Sequence, residues 1–138
     1  MEIRLKTGPG RKVEKIHLDK PVTGETLVKQ YAGDVEYRIL AMKVGNVLKE
    51  LTSVLDCDCD VELLDMRNHG ANLTYQRSVS LIYLKAVKDV LGDVRVEIDN
   101  SLNKGIYTEI RMPVAVKEQQ VREVAARMQQ LIDADIPI

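Results

Sequence analysis

Apolar and polar residues alternate with period two over Ile3–Lys6 and Val13–Leu18, which predicts two short strands. Between them Thr7-Gly8-Pro9-Gly10-Arg11 has the composition of a turn. Thr23-Gly24-Glu25-Thr26-Leu27 then opens a helix that runs to about Ala32. Thr23 and Thr26 are its candidate caps, Glu25 suits its first turn, and Gly33 stops it. Ile39–Val44 reads as a third strand, Gly45-Asn46 as a turn and Val61–Met66 as the last strand of this half. Strands before and after a single helix predict a small sheet packed on that helix, an α+β unit covering residues 1–66.

Arg67–Thr74 is polar, with Gly70 and two asparagines, and reads as a linker. Beyond it Val79, Ile82, Tyr83, Ala86, Val87 and Val90 fall at helical spacing, so one apolar face runs from about Tyr75 to Leu91, and Gly92 ends it. Val94, Val96 and Ile98 alternate with Arg95, Glu97 and Asp99, the pattern of a half-buried strand. Gly105–Arg111 supplies the next strand, and Pro113 closes it. Asn100–Tyr107 between these segments is too rich in Asn, Ser, Lys and Gly for a buried strand and reads as a polar connection. Val121, Val124, Ala125, Met128, Leu131 and Ile132 form a second amphipathic helix from about Lys117 to Asp133. Residues 67–138 are thus expected to set two helices on one face of an antiparallel sheet.

Composition narrows the classes of function. The 138 residues are 45% hydrophobic and 30% charged, the balance of a globular protein. Phe and Trp are absent and five Tyr supply all the aromatic area, so a base-stacking sheet lacks its usual platforms. The net charge of −1 shows no basic excess, which disfavours a general nucleic-acid binder without excluding one. No window approaches the roughly 18 apolar residues of a membrane span, and Met1-Glu2-Ile3-Arg4 lacks a signal peptide's apolar core. A cytoplasmic protein with no membrane partner is expected. Cys57 and Cys59 are too close for an ordinary disulfide and too few for a zinc site, so both are expected as reduced thiols.

Several patterns that imitate catalytic sites fail on spacing. His17 sits in a strand pattern and His69 in a polar segment, with no second histidine at ligand spacing, so neither is expected to bind metal. Gly8-Pro9-Gly10-Arg11-Lys12 leads into a strand and lacks the spacing of a phosphate-binding loop. Asp56, Asp58 and Asp60 alternate like half a calcium loop but lack its glycine and distal glutamate. Glu97 and Glu109 on adjacent strands imitate a carboxylate pair, with nothing else to support hydrolysis. The constellation that carries chemistry is basic. Arg77 and Ser78 on the first turn of a helix, with Ser101, Asn103, Lys104 and Gly105 in a glycine-containing connection, can converge on a phosphate or carboxylate. Equally, Arg77 can pair with Glu97, Asp99 or Glu109 as a scaffold ion pair, and Gly105 can serve only a turn.

Two resemblances bear on these segments. Ala41-Met42-Lys43-Val44-Gly45-Asn46, followed by Leu55-Asp56-Cys57-Asp58-Cys59-Asp60-Val61-Glu62, resembles the closing half of TGS domains, which are ubiquitin-like β-grasp modules. One of the two cysteines stands where that family prefers glycine. The second half resembles the editing domain that follows the TGS domain in threonyl-tRNA synthetases. Arg77 and Leu81 stand where those enzymes carry the His-x-x-x-His pair of the first helix, and their later Cys-x-x-x-His lies beyond this chain's end or is missing. Arg stays protonated and Leu neither binds metal nor moves a proton, so editing by this chain is not expected. Tyr75-Gln76-Arg77-Ser78 and Ser101-Leu102-Asn103-Lys104-Gly105 are similar to motifs in the N-terminal region of bacterial nucleoside (uridine) kinases, which share this architecture. That resemblance implies a non-catalytic regulatory or ligand-recognition region, with no cofactor of its own. Its partners would be a small anionic ligand or nucleotide and a C-terminal kinase domain of the same polypeptide, which would phosphorylate uridine or cytidine with ATP and magnesium. In both families a strand and further sequence follow the last helix, so the end at Ile138 reads as a truncation. The alternative implied by the synthetase resemblance is an RNA-binding module for a tRNA-like stem.

Overall fold

A computed structural model describes residues 1–102 and 105–136. The chain divides into two compact units, Met1–Gln76 and Arg77–Ile138. In the first, β1 (Glu2–Lys6) and β2 (Val13–His17) form an antiparallel pair, followed by β3 (Val22–Thr23), α1 (Gly24–Tyr31), β4 (Ile39–Val44), β5 (Val47–Lys49), β6 (Val54–Leu55) and β7 (Cys59–Asp65). Five strands make one mixed sheet in the order β2-β1-β7-β4-β5, with β1 and β7 parallel at its centre. This is the β-grasp arrangement.

The helix lies where its ends place it. Thr23 Oγ1 accepts from the Thr26 amide at 3.3 Å, and Gly33 takes a left-handed φ of 58° just past the last turn. Gly24 begins α1 because the backbone there runs against Met42 and Leu51. A Cβ would meet the Met42 sulfur at 2.8 Å and the Leu51 carbonyl oxygen at 3.0 Å. The Glu25 amide donates to that same carbonyl at 2.9 Å. Leu27 is thereby turned into a core shared with Ile3, Leu5, Met42, Val61 and Leu63, all essentially without solvent exposure.

The opposite face of the sheet is charged over β1 and β7, where the parallel register sets Arg4 beside Asp60 and Lys6 beside Glu62. Arg4 and Asp60 pair through both guanidinium and carboxylate branches, and Lys6 Nζ lies 2.6 Å from Glu62. The Asp56–Asp60 turn is tied down as well, since Asp58 accepts from the Glu2 amide at 2.7 Å.

The first-unit elements follow the pattern closely, with differences at edges. The last strand starts at Cys59, two residues ahead of the alternation, because Ile3 pairs with Cys59 across the parallel ladder, and it ends at Asp65, one residue early. The two-residue strands β3 and β6 pair only with each other and are too short to leave a period.

The polar segment Arg67–Thr74 is not a linker. Helix α2 runs from His69 to Leu91, six residues ahead of the expected start at Tyr75. Asn68 caps it, accepting from the Gly70 amide at 2.9 Å and the Ala71 amide at 3.2 Å. Ala71 is fully buried against Ala41 and Leu64, so one small residue docks the helix start on the sheet. Just before the cap, Asp65 is 2% exposed and accepts from the Arg67 amide at 2.9 Å and from Arg67 Nη2 at 2.6 Å. The Arg67 guanidinium sits 4.8 Å from the Tyr37 ring centroid and 3.5 Å from Glu36.

The second unit comprises α2 from Arg77, β8 (Arg95–Leu102), β9 (Gly105–Arg111) and α3 (Glu118–Asp133). Ala86 and Val87 of α2 and Val124 of α3 are its buried centre. Around them pack Tyr83, Val90, Val94, Val96, Ile110, Met128 and Leu131. Tyr83 and Thr108 bond hydroxyl to hydroxyl at 3.0 Å, joining α2 to β9. Asp89 joins the helices. It pairs with Lys85 one turn before it and with Arg127 of α3 at 2.9 Å, and these two cations hold its carboxyl below the usual carboxylate range.

The described parts of the expected polar connection Asn100–Tyr107 belong to the paired antiparallel strands β8 and β9. The strand expected at Val94–Ile98 continues to Leu102, which pairs with Gly105. A register shift between Ile98 and Ser101 lets the ladder resume beyond Asp99. Composition correctly kept this stretch out of a buried strand, because Gly105, Ile106 and Tyr107 are exposed. It did not exclude a solvent-facing strand.

Candidate ligand face of the second unit

Arg77 occupies an exposed position on α2, and Ser78, about 100° further round the helix, is half-buried. None of the three acids considered as scaffold partners for Arg77 holds it. Glu97 is taken by Arg95 at 2.9 Å and Arg111 at 2.8 Å, and Glu109 by Arg111 at 3.5 Å. Among the described residues Arg77 makes no ion pair. Glu97 and Glu109 lie directly opposite one another across the β8–β9 ladder, and Arg111 bridges them. The apparent carboxylate pair is therefore a neutralised surface cluster.

Ser101 lies in β8 opposite Ile106, and Gly105 is the first residue of β9. Asn103 and Lys104 lie outside the described residues. The four described candidates therefore fall in two places, Arg77 and Ser78 on α2, and Ser101 and Gly105 on β8 and β9. No hydrogen bond among the described residues joins the two sets.

The remaining sites are simple. His17 is exposed beside Asp19 at 3.6 Å, and His69 is the exposed first residue of α2. Cys57 and Cys59 are free thiols, and burial, reinforced by Cys57 and Asp60, pushes the Cys59 thiol up. Among the described residues no three His, Cys, Asp or Glu side chains gather as a metal site, and no helix is long and apolar enough to cross a membrane.

Periodicity did not reveal a groove of about 490 Å³ lined by Leu81, Ile82 and Lys85 of α2 and by Leu131, Ile132, Asp135 and Ile136 at the end of α3. The only sequence signal was Leu81, an apolar residue off the buried face of α2.

Comparison with known proteins bears on both units. The chain is 25% identical over 119 residues to the threonine–tRNA ligase of Acidithiobacillus ferrooxidans, covering 86% of the chain and 18% of that protein. It is 25% identical over 130 residues to the enzyme of Paramagnetospirillum magneticum, covering 94% and 20%, and 22% identical over 122 residues to that of Pelagibacter ubique, covering 88% and 19%. The chain is distantly similar to the N-terminal region of threonyl-tRNA synthetases. It spans about a fifth of the length of these relatives. No protein-family profile matches it. The likeness to synthetases agrees with the α+β architecture of a β-grasp followed by a helix-on-sheet unit. It lends no support to the nucleoside-kinase part of the resemblance.

Proposed function

We propose that this chain is a non-catalytic RNA-recognition module of the kind found at the front of threonyl-tRNA synthetases, and that it docks a tRNA-like stem. The observation that carries the reading is a similarity to those enzymes that runs through both units at 22–25% identity over most of the chain. With a net charge of −1 the module lacks a broad basic footprint, so recognition rests on shape and on few phosphate contacts. Arg77 is the residue we assign to one of them, as an exposed guanidinium that no described acid neutralises.

Titration of labelled tRNA by fluorescence anisotropy at several salt concentrations tests this. Wild type should bind with a shallow salt dependence. Arg77→Ala should weaken binding by about tenfold and lower the salt slope by about one, the signature of one lost phosphate contact. Absence of tRNA binding at low salt would sink the reading.

A second reading draws on Tyr75-Gln76-Arg77-Ser78 and the 101–105 segment, in which the same arginine receives the phosphate of a free nucleotide. NMR titration separates the two. Shifts at residues 75–78 with nucleotide but not with tRNA would favour a regulatory region of a nucleoside kinase. Either way, Arg77 and Leu81 stand in place of the paired histidines, and we expect no deacylation of seryl-tRNA. Turnover above a blank that follows the protein through purification would contradict that.

A further inference from the structure

We propose that the groove between α2 and the end of α3 seats a second copy of this chain, in a two-fold pairing that sets Lys85 of each copy against Asp135 of the other. The groove lies within the second unit, and the proposal does not depend on the RNA reading. Its floor is apolar and open to water, with Leu81 50%, Ile132 51% and Ile136 60% exposed. Burying such side chains together is favourable, and contiguous exposed apolar surface of this kind marks a contact site.

The walls carry opposite charges. Lys85 lies on the α2 side and Asp135 on the α3 side. Asp135 is oddly placed for a residue serving only its own chain. Among the described residues it is the non-glycine residue with positive φ, at 47°, directly after the α3 C-cap Ala134, a position glycine or asparagine commonly fills. It also sets a negative charge at the negative end of a helix, and it makes no ion pair among the described residues. Lys85 is bonded to Asp89, but Asp89 also holds Arg127 at 2.9 Å, so Lys85 can turn away without leaving that carboxylate alone.

The helices run in opposite directions along the groove. Asp89 meets Arg127 at one end, while Leu81 shares the other with Ile132 and Ile136. A two-fold axis along the groove exchanges its walls and leaves height along the helices unchanged. It therefore sets α2 of one copy over α3 of the other, with Leu81 against Ile132 and Ile136 and Lys85 one turn further along α2, so that its long side chain reaches back across that turn to Asp135. A nucleotide or RNA would find an apolar floor and one lysine there, which suits neither. A patch confined to one groove is small for an interface, so the dimer is weak and reversible.

Sedimentation velocity of the full chain from low micromolar to near-millimolar concentration tests the pairing. Wild type should shift from monomer to dimer, and Leu81→Asp should remain monomeric. Lys85→Glu and Asp135→Lys should each weaken association about tenfold or more, and the double variant should recover it, because the charges are exchanged rather than removed. All three positions are exposed, and unchanged circular dichroism confirms that the variants fold. A wild type that stays monomeric overturns the proposal. So do a dimer that survives Leu81→Asp, a double variant no tighter than the singles, and capture of a different apolar helix by a monomeric wild type.

Discussion

Leu27→Ala is expected to destabilise the first unit by about 2–5 kcal/mol, the largest effect of any single truncation considered for this protein. Leu27 has no solvent exposure and is the residue through which α1 meets Ile3, Leu5, Met42 and Leu63 of the sheet. Truncation removes its transfer free energy and leaves a cavity. The void has little means of closing, because Gly24 already lies against Met42 and Leu51 at the helix start. For a unit of this size, each kcal/mol moves the midpoint by roughly 4–8 °C, so a loss of ten degrees or more should appear in thermal unfolding. Leu27→Met, which keeps the volume, should cost under about 1.5 kcal/mol. Equal midpoints for Leu27→Ala and wild type would mean that α1 does not pack on the sheet as described.

Asp65 is expected to make the first unit sensitive to acid. Hydrogen bonds from the Arg67 side chain, with the Arg67 amide assisting, hold its carboxyl below the ordinary carboxylate value, and these outweigh the opposing effect of burial. A folded-state value below the unfolded one means that the native state binds the proton less readily. The contribution to stability is then complete above the unfolded value of about 3.9, and it is lost as pH falls through the lower folded value. Asp89, also held low, acts in the same direction in the second unit. Asp65→Asn should cost about 1.5–3 kcal/mol at neutral pH, the scale of a lost charge-assisted hydrogen bond. In strong acid the variant and wild type should converge, because wild-type Asp65 is then protonated as well. Urea unfolding midpoints measured across that range give the comparison. A difference that is the same at pH 7 and in strong acid would show that the Asp65 charge plays no part.

Residue types at element ends carried most of the first unit. Thr23 and Gly33 bounded α1 because a cap hydroxyl and a left-handed residue act locally. Ile39–Val44 was legible to the residue. Alternation failed where an element is defined by its partner, as in β3 and β6, which exist only as each other's ladder. The β8–β9 pair failed for another reason: β8 resumes past Asp99 through a register shift, which has no period to read. Of the candidate site, the sequence yielded the residue types at Arg77 and Ser78. It did not show that Glu97 and Glu109 are already satisfied by Arg95 and Arg111.

The sequence by itself determined the α+β class and the order of the main elements, because each follows from local chemistry. Only the tertiary structure decided that Arg67–Thr74 is in large part helix. Its polar composition is that of a loop until Ala41 and Leu64 present a surface that one alanine fills and Asn68 caps the turn above it. It alone also revealed the groove of Leu81, Ile132 and Ile136, because these residues, far apart in sequence, become one apolar surface only when α2 and α3 pack in opposite directions.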